Sequence, residues 1–156
     1  MRITVAAVGQ RMPDWVKSAC DDYVKRMPRD LPVQLIEVKP GARAEGRPIE
    51  RAIEEERDRL KERLPADARL ITLDERGSLW TTRELAGCVD SARQEVRDLV
   101  FLIGGADGLH AEFKGSGRIQ FSLSRLTLPH ALARVVLCEQ LYRAASLLNN
   151  HPYHRD

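Results

Sequence analysis

The sequence predicts an α/β domain built on a mostly parallel sheet. Three observations carry that reading. Short apolar runs recur between longer segments of helical spacing: ITVAAV near the start, ARLITL in the middle, LVFLI further on. Those runs have the length of buried strands rather than of helices. The third meets a glycine pair at once, in "LIGGADGL", the mark of a strand emptying into a tight turn. Strands that alternate with helices imply crossover connections and therefore parallel pairing.

The elements follow in order. Residues 3–8 form the first strand. Pro13 opens a helix over 13–27, in which Trp15, Ala19, Tyr23 and Met27 recur every four residues. VQLIEV, 33–38, is the second strand. KPGARAEGRP is a loop in which Lys39, Arg43 and Arg47 begin a series of cations that continues to Arg51. A charged helix over 49–64 has a narrow apolar stripe of Ile49, Ile53, Leu60 and Leu64. Residues 68–73 make a third strand, ended by the polar turn Asp74, Glu75, Arg76 and Gly77. Thr81 or Thr82 caps the next helix, which runs to about 97. A fourth strand spans 99–103, a short helix follows Gly108, and a fifth strand spans 118–123. The final helix starts near Pro129, a favoured first-turn residue, and runs to about 149. It carries Leu132, Val135, Val136, Leu141, Ala144, Ala145 and Leu148, too much apolar surface for a one-sided helix. Burial by the core and by another subunit accounts for both sides.

The totals bound the partners. At 156 residues, one domain over 1–156 can bury a core without disulfides or metal. Apolar residues are 43% and charged ones 31%, ordinary for a soluble globular chain. No run approaches the roughly 18 apolar residues of a membrane span, and the opening turns polar too soon for a signal peptide. Cys20, Cys88 and Cys138 lack metal spacing and read as free thiols of a reducing cytoplasm. A net charge of +2 is only faintly basic, so any RNA contact needs clustered cations or assembly of subunits.

The glycine turn matches neither the dinucleotide fingerprint nor the P-loop. By itself it fits two readings: close packing of the chain on itself, or close approach of a ligand. Ligands of parallel sheets bind beyond the carboxyl ends of strands. Three such ends carry small or polar residues here, at 74–77, 104–108 and 124–127. The ending "NNHPYHRD" gathers His151, Tyr153, His154 and Arg155, but offers no third metal ligand, and Pro152 denies it a regular helical face. Glu139 and Arg143 stand four apart, the spacing of a helical ion pair.

Taken together, "VGQRMPDWV", "LIGGADGL", "LSRLTLPHALARV", "EQLYRA" and "NHPYHR", in this order, give the chain its resemblance to a family. It resembles the small SPOUT-class methyltransferases that modify a pseudouridine in large-subunit ribosomal RNA. It departs from them mildly, with Ala106 where Pro or Ser often follows the glycine pair and Ser78 where a lysine is common. The resemblance implies a mostly parallel sheet with helices on both faces, whose C-terminal segment is threaded into a deep trefoil knot. It implies S-adenosyl-L-methionine as methyl donor, touching Leu73, Gly104 and the run Leu123, Ser124, Arg125, Leu126, Thr127 and Leu128. The glycine pair would then keep side chains away from that donor. It also implies a homodimer whose subunits complete each other's sites, acting on 23S ribosomal RNA in the assembled ribosome, without a metal. The acceptor would be the N3 imide of pseudouridine, helped by the cations Arg143, His154 and Arg155, with Tyr153 placing the base and His130 shaping the loop end. Two rival readings are an adenosine-ligand or RNA-binding module that transfers nothing, and a structural factor of the ribosome without a ligand.

Overall fold

The computed structural model describes residues 1–155. Its strands are β1 (Ile3–Val8), β2 (Val33–Val38), β3 (Arg69–Leu79), β4 (Leu99–Ile103) and β5 (Ile119–Ser122). They form one sheet in the order β2-β1-β4-β3-β5, and every pairing is parallel. The helices are α1 (Asp14–Arg26), α2 (Ile49–Arg63), α3 (Thr82–Gln94) and α4 (His130–Leu148), with a single 3₁₀ turn at Ala111–Phe113.

β1 and β4 are buried along their whole length, so their side chains alternate between two cores. Ile3, Val5, Leu99 and Phe101 face one core, which Leu85 and Val89 of α3 and Leu137 and Leu141 of α4 complete. Ala6, Val8, Val100 and Leu102 face the other, closed by Leu60 of α2 and by Phe113. Helices thus cover both faces. α4 lies against both α1 and α3. Among the described residues no helix is long and apolar enough to cross a membrane.

Three elements differ from the sequence reading, each for a physical reason. In α1 the buried residues are Val16 and Cys20, one position on from the Trp15 series, and Trp15 is 55% exposed. In α2 the buried stripe is Ala52, Glu56 and Leu60, while Ile49 stands half exposed. A carboxylate occupies the stripe because Glu56 accepts the Gly41 N–H at 3.0 Å and an Arg43 N–H at 2.7 Å. Burial of a charge is tolerated where it is hydrogen-bonded and paired. β3 does not end at Leu73. It skips 74–77 and rejoins β5, so that Leu73 and Ser78 both lie opposite Phe121. The polar turn is therefore a bulge within a strand, and bulges re-aim side chains.

Candidate functional site

Leu73 of β3 pairs with Ile103 of β4 and with Phe121 of β5, so three strands deliver their loops to one end of the sheet. A cavity of about 600 Å³ opens there, walled by residues from 73–76, 103–109 and 121–130. That size lies within the roughly 300–1,000 Å³ of small-molecule sites. Leu73, Ile103, Phe121 and Leu128 make its apolar wall, and Asp74 and Lys114 stand in the lining with opposite charge, 3.2 Å apart. Burial would raise the Asp74 carboxyl, but the Arg76 N–H and the Lys114 ammonium outweigh it and hold the group below the usual carboxylate range.

Six of the residues that the resemblance assigns to the donor line this cavity: Leu73, Gly104, Leu123, Ser124, Leu126 and Leu128. Arg125 and Thr127 do not. They are exposed on the outside of the same loop. That loop is pinned by its own hydroxyls, with Ser122 Oγ donating to the Ser124 carbonyl and Ser124 Oγ accepting from Leu126 N, each at 2.9 Å. Lys114 went unnoticed in the sequence because it sits in a loop with no periodic pattern.

Of the two readings of the glycine pair, close packing of the chain on itself is the one the structure shows directly. A side chain at Gly104 would begin 2.6 Å from the carbonyl carbon of Gly108, and one at Gly105 would begin 2.9 Å from Val8. Both glycines are required first by the chain's own packing. They still line the cavity.

His130, at the start of α4, borders the cavity rather than the tail. Its Nε2 accepts from Arg134 Nε at 2.8 Å, and it also hydrogen-bonds the Gly104 backbone. Burial first, and then the Arg134 cation, push its pKa below the ordinary value, so the ring is held neutral. Arg134 is itself buried and donates to Glu37 and to the Gly9 carbonyl, each at 2.8 Å. The pair ties the head of α4 to the exits of β1, β2 and β4. Arg134 had no signal in the sequence beyond lying in an apolar helix.

At the other end of α4 the tail is built around Glu139. Arg143 Nε donates to Glu139 Oε1 at 2.9 Å, and the Tyr153 hydroxyl donates to the same oxygen at 3.0 Å. Arg143 also donates to the His154 carbonyl at 3.3 Å and lies 4.9 Å from the centre of the Tyr153 ring. Burial, reinforced by Glu139, drives the Tyr153 phenol well above its ordinary range, so it keeps its proton. Arg155 is exposed and turned back in a left-handed conformation with φ of 40°. His130 and Arg143 stand thirteen positions apart on α4, about 20 Å along the helix axis.

In the cation series of 39–51, three arginines have carboxylate partners. Arg43 is bound to Glu56 and Asp107, Arg47 to Glu55 and Arg51 to Glu54.

A family model described as "Predicted SPOUT methyltransferase" matches residues 1–154. A ribosomal RNA large subunit methyltransferase H of Paraburkholderia xenovorans is 50% identical over 155 residues, 99% of each chain. The protein of that name from Dechloromonas aromatica is 49% identical, over 100% of this chain and 99% of its own. Among solved structures, a probable methylase family protein from Haemophilus influenzae aligns with a TM-score of 0.59 at 16% identity, covering 96% of this chain and 69% of that one. A putative methylase family protein from Neisseria gonorrhoeae aligns with a TM-score of 0.53 at 17% identity, covering 90% and 81%. At such identities these two matches speak to the fold alone. That fold includes the C-terminal knot expected from the resemblance.

Proposed function

The chain belongs to the SPOUT methyltransferase family, and from that premise we propose that it moves a methyl group from S-adenosyl-L-methionine to large-subunit ribosomal RNA, at N3 of a pseudouridine. The observation that carries the reading is the cavity where β3, β4 and β5 empty together. Its residues fit the donor. An apolar wall suits the adenosine, and Asp74 and Lys114 match the ammonium and carboxylate of a zwitterionic amino-acid end. When bound, the donor supplies a methyl already activated by a sulfonium.

The protein's own tasks are to hold the reactants in line and to favour the ionised imide. Positioning is worth roughly 7–11 kcal/mol in favourable cases. A dense cluster of anions at the sulfonium would favour the ground state, so a largely apolar wall is appropriate. Arg143 supplies the cation that favours the ionised imide, and Glu139 fixes its orientation. Tyr153, protonated and held by the same carboxylate, positions the base. His154 and Arg155 add the rest of the basic tail. His130 and Arg134 shape the wall.

His130 at the cavity and Arg143 at the tail stand about 20 Å apart along α4, and the working unit we propose is a homodimer in which the tail of one subunit covers the cavity of the other. Leu126 in the cavity wall and Leu132 on α4 are exposed apolar side chains, and they suit such an interface. Exposed Arg125 and Thr127 then face the RNA. The whole chain works as one domain in the cytoplasm, on the assembled ribosome.

Titration of the protein with S-adenosyl-L-methionine in a calorimeter tests the donor site: an absence of heat removes the claim and leaves a ligand-free structural factor. Ribosomes from a strain lacking the protein, incubated with labelled donor, test transfer. Mass spectrometry places the methyl, and unlabelled RNA would leave a binding module only.

A further inference from the structure

The turn over 104–108 walls the cavity from one side, and something outside the cavity must hold it in shape. It closes on itself, Gly108 N donating to the Gly105 carbonyl at 3.1 Å. Every residue of 103–109 lines the cavity except Asp107, whose carboxylate faces the other way. There it meets Arg43, whose Nε donates to Asp107 Oδ2 at 2.9 Å.

Arg43 is not a loose surface cation. Its Nη1 donates to Glu56 Oε1 at 2.7 Å and to the Gly41 carbonyl at 3.0 Å. Glu56 is 2% exposed and holds Gly41 N as well. Its second oxygen, Oε2, is buried without a partner among the described residues. Both oxygens lie 3.5 Å from where a side chain at Gly105 would begin. The glycine turn is thus backed at Gly105 by a buried carboxylate and gripped at Asp107 by the arginine which that carboxylate anchors. Three separate parts of the chain, the 39–48 loop, α2 and the glycine turn, meet in this contact.

We infer that Arg43 is a positioning residue of the donor cavity: anchored on Glu56, it holds Asp107 from outside and so keeps the 104–108 turn in the shape that receives the donor. The inference rests on the donor reading of that cavity. It assigns a task to one cation of the 39–51 series, Arg43. Arg43 acts through Asp107 and touches no reacting atom.

Asp107 is the residue to change, because its partly exposed carboxylate can be removed without emptying the core. Asp107→Ala should raise the dissociation constant for S-adenosyl-L-methionine about fivefold, the worth of one partly exposed ion pair. The KM for donor should rise with it, while kcat at saturating donor and the KM for RNA stay put. Asp107→Glu should restore donor affinity. Amide hydrogen exchange in the donor-free protein should quicken at Gly108 in the alanine variant. A general loss of structure would instead lower kcat and the melting temperature together, and that outcome overturns the inference. Unchanged donor affinity in Asp107→Ala, beside a wild type that binds, overturns it as well and leaves the donor site standing. A wild type that binds no donor removes both.

Discussion

Gly104 illustrates how a residue fixed by packing can also line the cavity. A side chain there meets the backbone of Gly108 and Leu109 at distances no rotamer relieves. Gly104→Val should therefore move the turn, cost about 1–3 kcal/mol in stability as overpacking does, and abolish donor binding; melting curves and calorimetry check the two parts. His130 makes a pH prediction. Its folded pKa lies below the ordinary 6.5, so its contribution to stability is complete above that value and is lost as pH falls toward the folded pKa. Protonation would set a second cation against Arg134 Nε, which the ring now receives as an acceptor. Melting temperature should fall from pH 7 to pH 5.5 more steeply in the wild type than in His130→Gln, and equal slopes would show that the ring does not report on folding.

At the level of elements, α3 carries the one helix start with a complete capping box among the described residues. Thr81 Oγ1 accepts from Glu84 N, and the Glu84 carboxylate accepts from Thr81 N. Thr81→Ala should cost about 1 kcal/mol in denaturant titrations and leave donor affinity unchanged, since neither residue lines the cavity. This start was legible because capping chemistry is local, and β1 and β4 were legible because an almost unbroken apolar run has few other uses. β3 was not, because Asp74, Glu75, Arg76 and Gly77 are turn residues by composition and only pairing with β5 on both sides of them makes a strand. The α2 stripe failed for a related reason. No hydrophobic periodicity can place Glu56 in a core when its partners, Gly41 and Arg43, come from the preceding loop. Within the site, the strand exits could be read from glycine and polar residues, whereas Lys114 and Arg134 matter through contacts distant in sequence.

Across the whole molecule, five parallel strands bring three loops to one end of the sheet, while α4 carries the tail cluster away from them. Division of labour between two copies can be tested by mixing defective subunits. Gly104→Val spoils a cavity and Tyr153→Phe spoils a tail, and each alone should be nearly inactive. Refolded together they should regain activity, because the hybrid pairs one sound cavity with one sound tail; a mixture no better than its parts would place both functions in a single subunit. The length of α4 carries one more consequence. If the tail of one subunit serves the cavity of the other, as proposed, a lone molecule is idle and dilution should switch it off. Below the dissociation constant of the dimer, the initial rate should climb with the square of the protein added, and above it with the first power.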